Sequence, residues 1–130
     1  MLRQNTFLRY ALLADAVASG ATGLLMIAGA GLLEGLLGLP TALMREAGLV
    51  LVPYVAFVAW VGTRETISRP AVQAIIAMNV LWVIGSAVVL FAFVAPTLLG
   101  YAFVIAQAIV VGVFAELQFI GLRRSDTVAA

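Results

Sequence analysis

Four apolar runs, each about long enough to cross the hydrocarbon core of a bilayer, occupy most of this 130-residue chain. They extend from about Tyr10 to Leu33, Ala47 to Thr63, Ala71 to Val94 and Thr97 to Leu122. A membrane helix needs roughly 20 mostly apolar residues, and the second run reaches that length if it starts earlier, near Pro40. Within lipid the backbone must satisfy its own polar groups, which leaves helices or closed barrels. Barrel strands of about 10 residues alternate in polarity, and these runs do not. The chain is 65% hydrophobic and 10% charged, against about 45–50% and 25% in soluble domains. A soluble domain of this size could not bury so much apolar surface. A soluble enzyme, a disordered chain and a nucleic-acid-binding domain are therefore excluded. The expected fold is all-α: one transmembrane domain over residues 1–130, an up-down four-helix bundle.

Charge placement orients it. All seven basic residues are arginine. Arg3 and Arg9 precede the first run, Arg64 and Arg69 separate the second and third, and Arg123 and Arg124 follow the fourth. Arg45 alone falls in the other set of connections. Loops rich in arginine stay on the cytoplasmic side, so both termini are expected in the cytoplasm. The absence of lysine reads as a GC-rich bacterial origin, and hence a bacterial inner membrane. The first run is too long, and with Asp15 too polar, for a cleaved signal peptide.

The joints carry ordinary helix punctuation. Ser68-Arg69-Pro70 resembles a helix start, with proline in the first turn where its missing N–H costs nothing. Ala95-Pro96-Thr97 predicts a tight turn with Thr97 as N-cap. Leu32 to Met44 predicts a short helix or bent segment at the outer interface, with Arg45 pairing to Glu34 or Glu46. Pro53 is expected to kink the second helix. The halves are alike: Asp15 and Asn79 hold similar places, with Thr22 and Ser86 each seven residues on.

The residues that call for chemistry are those polar groups inside the runs. An ionisable side chain near the bilayer centre costs about 2.5–3.5 kcal/mol on insertion scales, so it usually faces a partner or a cavity. Asp15 and Glu116 are the two carboxylates so placed. Asp15 lies roughly 9 Å from the level of Arg9, and Glu116 about 10 Å from Arg123. Gln73, Asn79 and Gln118 share that cytoplasmic half, while Gln107 lies in the fourth run. The expected site is a polar pocket lined by Asp15, Asn79, Trp82, Glu116 and Gln118. It suits a small hydrophobic or cationic ligand, an ion or a proton; the competing reading is an internal network that sets helix register. Trp60 and Tyr10 suit interfacial anchors. Small residues in the first and fourth runs, such as Ser19/Gly23 and Ala108/Gly112, predict close packing of those two helices or a homodimer face.

Two absences narrow the chemistry. With no cysteine and no histidine, disulfide exchange, thiolate or imidazole metal sites and bis-histidine haem are excluded. No metal and no cofactor is expected. No nucleophile, base and orienting group can be assembled, so the protein reads as non-enzymatic. Its partners are the lipid bilayer and, as further candidates, a second copy or another membrane protein, with no nucleic acid.

Several segments carry a family likeness: Asp15-Ala16-Val17-Ala18-Ser19-Gly20, Asn79-Val80-Leu81-Trp82, Pro96-Thr97-Leu98-Leu99-Gly100-Tyr101 and Phe114-Ala115-Glu116-Leu117-Gln118. Through them the chain resembles uncharacterised small four-helix membrane proteins of proteobacteria, and in outline the DoxX-like group. The resemblance implies a four-helix membrane fold and supplies no activity to carry over. The functional expectation is therefore a small polytopic ligand-binding protein. The alternatives are a proton-coupled transporter or channel and an accessory subunit.

Overall fold

The computed structural model describes residues 2–3, 6–92 and 96–129, and side-chain placement within 6–91 and 96–124. Its elements are β1 (Leu2–Arg3), α1 (Thr6–Ala28), α2 (Ala30–Leu37), α3 (Thr41–Thr63), β2 (Thr66–Ile67), α4 (Arg69–Ala92) and α5 (Leu98–Ala129). Four of these helices, α1, α3, α4 and α5, are long and apolar enough to cross a membrane. The predicted turn at Ala95 and the end of the third run at Val94 lie outside the described residues.

The first run is divided at Gly29 and does not continue to Leu33. Glycine is a poor helix former, and two stand close together here, Gly29 and Gly31. The chain re-forms at once: Gly29 N–H donates to Leu25 O at 2.8 Å, and Leu33 N–H to Gly29 O at 2.9 Å. The short helix expected near Leu32 is thus α2, placed slightly earlier. It stops at Gly38, whose φ of 67° is left-handed and whose N–H donates to Glu34 O, the usual glycine C-cap. α3 then starts at Thr41, so its run does begin near Pro40. Glu34 Oε1 accepts the Thr41 N–H at 3.4 Å; the structure shows that contact where pairing with Arg45 was expected. Pro53 stands inside α3 with its ring exposed.

The expected Thr97 cap forms, and the helix start expected at Ser68-Arg69-Pro70 carries a side-chain cap as well. Ser68 Oγ accepts the Ala71 N–H at 3.4 Å, and Thr97 Oγ1 accepts the Gly100 N–H at 3.1 Å. Thr97 also ties the α2 end to the start of α5: its N–H donates to Leu37 O at 3.0 Å and its hydroxyl to Leu36 O at 2.8 Å. At the arginine-rich junction, Leu2–Arg3 pairs antiparallel with Thr66–Ile67, a two-residue ladder that apolar periodicity cannot foreshadow. Arg9 closes the same junction by donating to Gly62 O at 2.6 Å, Arg64 O at 2.7 Å and Glu65 O at 3.2 Å. These carbonyls lie at and just beyond the end of α3. The last carbonyls of a helix lack intrahelical donors and carry partial negative charge, so a guanidinium fits them.

Packing differs from the sequence expectation in one respect. α1 packs most extensively on α3, and α4 on α5. The small face of α1 meets α3 through glycine: a Cβ at Gly48 would lie 3.0 Å from Gly23 O and 2.8 Å from Ile27 Cγ1. The expected close pairing of Ser19/Gly23 with Ala108/Gly112 does not form, and Gly112 opens onto free space. Two apolar clusters result. One, near the arginine junction, contains Leu8, Leu12, Val58, Ile67, Val72 and Ile75. The other, near α2, contains Met26, Leu37, Met44, Leu51 and Val104. Outward faces stay apolar, with Phe91 90% and Leu98 86% exposed, as lipid contact requires and water would penalise.

Gly100 tests the α2–α5 contact, because a Cβ there would run into Leu37 O. Gly100→Ala is expected to lower stability by about 1–3 kcal/mol, the usual cost of overpacking. Gly112→Ala meets no atom and should be neutral or stabilising. Thermal unfolding of both variants in detergent checks the contrast.

Candidate functional site

Between the two apolar clusters lies a polar centre built from four helices. Asp15 of α1 is fully buried, and so is Gln118 of α5. Asn79 of α4 and Ser19 of α1 are nearly so. Asp15 Oδ1 accepts the Ser19 hydroxyl at 2.9 Å. Asp15 Oδ2 accepts Gln118 Nε2–H at 2.8 Å and Asn79 Nδ2–H at 3.1 Å. Asn79 Nδ2–H also donates to Gln118 Oε1 at 2.9 Å. The Tyr54 hydroxyl of α3 completes the group, 2.6 Å from Asp15 Oδ2 and 2.7 Å from Asn79 Oδ1.

Local sequence explains how these side chains converge. Asp15 and Ser19 are four apart, one helical turn, so both occupy one face of α1. Tyr54 precedes Arg64 by ten residues and Asn79 follows Arg69 by ten. The two therefore sit at equal depth from the same junction. Asn79 and Gln118 present both donors and acceptors, which lets Asn79 serve three partners and Gln118 two. Among the described residues, every hydrogen-bond partner of the Asp15 carboxyl is neutral.

A second polar group lies further along α4 and α5. Trp82 Nε1–H donates to Gln107 Oε1 at 2.6 Å, and Gln107 Nε2–H donates to Ser86 Oγ at 3.0 Å and Val104 O at 2.8 Å. Ser86 in turn donates to Trp82 O at 2.8 Å. Thr22 makes the matching bond one turn back in α1, to Ala18 O. Trp82 packs against the α2-side apolar cluster, so it fills the bundle while anchoring its indole N–H. Trp60 is exposed near the end of α3, with the Arg64 guanidinium 5.2 Å above its ring; this suits an interface.

Of the five residues expected to share a pocket, the structure brings together Asp15, Asn79 and Gln118. Trp82 belongs to the second group. Glu116 is exposed on the other side of α5, since two residues turn a helix by about 200°. It lies in a shallow groove of about 370 Å³ between α4 and α5, whose walls include Ile76, Val80, Ile84, Gly112 and Phe119. Gln73 is likewise exposed. Sequence reading missed Tyr54 and the Ser19 hydroxyl. The matched ten-residue spacings from Arg64 and Arg69 were the signal for Tyr54. No protein-family model, curated protein or solved structure matches this chain.

Asn79 contacts Asp15, Tyr54 and Gln118, so Asn79→Leu strands polar atoms of three helices. It is expected to cost about 1–3 kcal/mol, the penalty for an unsatisfied buried polar group. Gln73→Leu, on the exposed face of the same helix, should cost nothing. Unfolding of the refolded protein in mixed detergent micelles measures both.

Proposed function

We propose that this chain is a small, non-enzymatic, multi-pass membrane protein that binds a lipophilic monovalent cation in the α4–α5 groove, with Glu116 as counter-ion. One observation carries the reading: a carboxylate lies exposed within an otherwise apolar groove on a membrane-length helix. No side chain among the described residues hydrogen-bonds or ion-pairs with it. A charge at such a depth is costly without a partner. A molecule with one positive charge and an apolar body supplies both the counter-charge and the contact surface. The buried Asp15 group is closed to such a ligand because its polar atoms are occupied by one another. Its role in this reading is to hold the four helices in register, so that the walls of the groove keep their shape.

The proposed setting is a bacterial inner membrane, with consecutive spans running in opposite directions and both termini in the cytoplasm. One observation, read with the bias of basic loops, supports the orientation. The arginine-rich junction gathers Arg9, Arg64 and the β1–β2 ladder at one place, and positive residues are retained on the cytoplasmic side. The native chain has no cysteine, so single introduced thiols report on sidedness. Ser68→Cys should react with a membrane-impermeant maleimide only after the cytoplasmic side is opened, and Gly35→Cys in intact spheroplasts. The reverse pattern would invert the topology.

Binding is tested with tetraphenylphosphonium on the purified protein in lipid nanodiscs. Wild type is expected to bind saturably, and Glu116→Gln to weaken binding at least tenfold. Glu34→Gln, a carboxylate outside the groove, should bind as wild type does. Equal binding by wild type and Glu116→Gln would overturn the proposal.

A further inference from the structure

The hydrogen bonds around Asp15 do not balance if its carboxyl is ionised. Six close polar contacts join Asp15, Ser19, Tyr54, Asn79 and Gln118. The side chains bring five hydrogens to them: one from Ser19, one from Tyr54, two from Asn79 and one from Gln118. The shortfall falls at Tyr54. Its hydroxyl has a single hydrogen and lies against two acceptors, Asp15 Oδ2 at 2.6 Å and Asn79 Oδ1 at 2.7 Å.

Turning the amides does not cure it. Reversing Asn79 alone sets its oxygen against both Asp15 Oδ2 and Gln118 Oε1. Reversing Gln118 as well sets two amide oxygens against Asp15 Oδ2. Reversing Gln118 alone puts its oxygen against the carboxylate and its nitrogen against the Asn79 nitrogen. One added hydrogen on Asp15 Oδ2 cures the arrangement as it stands: Asp15 then donates to Tyr54, Tyr54 donates to Asn79, and all six contacts are filled.

We infer that this centre is a proton-binding site in which Asp15 carries the proton and donates it to the Tyr54 hydroxyl. Burial points the same way. An ionised carboxylate shut away from water is very costly unless a cation or metal compensates it. Among the described residues, the groups facing Asp15 are Ser19 from its own helix, Tyr54 from α3, Asn79 from α4 and Gln118 from α5, none of them cationic. Glu116 projects from the other side of α5. Arg9 is occupied with carbonyls at and beyond the α3 terminus. A metal ion does not fit in the proton's place. Oxygens that share a cation at 2.0–2.6 Å stand about 3 Å or more apart, whereas the Tyr54 oxygen is 2.6 Å from Asp15 Oδ2 and 2.7 Å from Asn79 Oδ1. The proton thus joins α1 to α3 and, through Tyr54, to α4, so losing it would loosen the contact on which all four long helices converge.

The chain contains two aspartates, Asp15 and Asp126. Full-length Asp126→Asn protein labelled with aspartate carrying carbon-13 at the side-chain carboxyl therefore reports Asp15 alone, with the centre unaltered. Solid-state NMR in lipid bilayers separates the acid from the carboxylate by its carbon shift. The expected result is the acid form at pH 7. A carboxylate signal at pH 7 would overturn the inference. Glutamate is unlabelled, so this outcome is independent of cation binding at Glu116.

Discussion

A single oxygen, Asp15 Oδ2, lies within hydrogen-bonding distance of side chains from α3, α4 and α5. Much of the bundle depends on that meeting. Lipid tails are as apolar as leucine, so apolar side chains alone do little to choose which helices pair or at what height. Close backbone packing and polar contacts make the choice. Here Gly23 and Gly48 let α1 approach α3, while the carboxyl sets the height of all four long helices. A shift of one residue along any of them would remove a buried partner. Interhelical polar bonds average only about 0.6 kcal/mol, so the centre acts more on register than on total stability.

The two intramembrane carboxyls show how position on a helix decides chemistry. Asp15 is enclosed by neutral donors and acceptors; Glu116, two residues from Gln118, faces outward into an apolar groove. The same sequence signal, an acid within a hydrophobic run, leads to an interior tie in one case and an exposed charge in the other. The interior centre and the groove share α4 and α5. Asn79 and Gln118 look inward while Val80 and Glu116 look outward, so the tie that aligns these helices also sets the spacing of the groove walls.

Several features were legible because lipid leaves few alternatives. The helical class, the helix start at Ser68-Arg69-Pro70, the Thr97 cap, and the inward turn of Asp15, Asn79 and Gln118 follow from local chemistry and the cost of polar groups in hydrocarbon. Tyr54 was not, because a phenol in an apolar run is as well explained by packing as by bonding. Ser19 read as a small residue suited to close packing, which its α1 face also provides. The partner of that face was misassigned, since small residues occur on both α3 and α5. Arg9 over the α3 terminus and the β1–β2 ladder join residues more than fifty apart, beyond the reach of periodicity.

Residue order alone decides that this chain makes four membrane-length helices, because 65% hydrophobic composition concentrated in long runs leaves the backbone no other way to satisfy itself in lipid. It also decides which few polar residues must be accounted for. Only tertiary structure decides what each of them meets. Helix rotation sends Glu116 outward and Gln118 inward, and the pairing of α1 with α3 brings Tyr54 to Asp15. Both depend on how distant side chains fit together, which the spacing within any one segment does not specify.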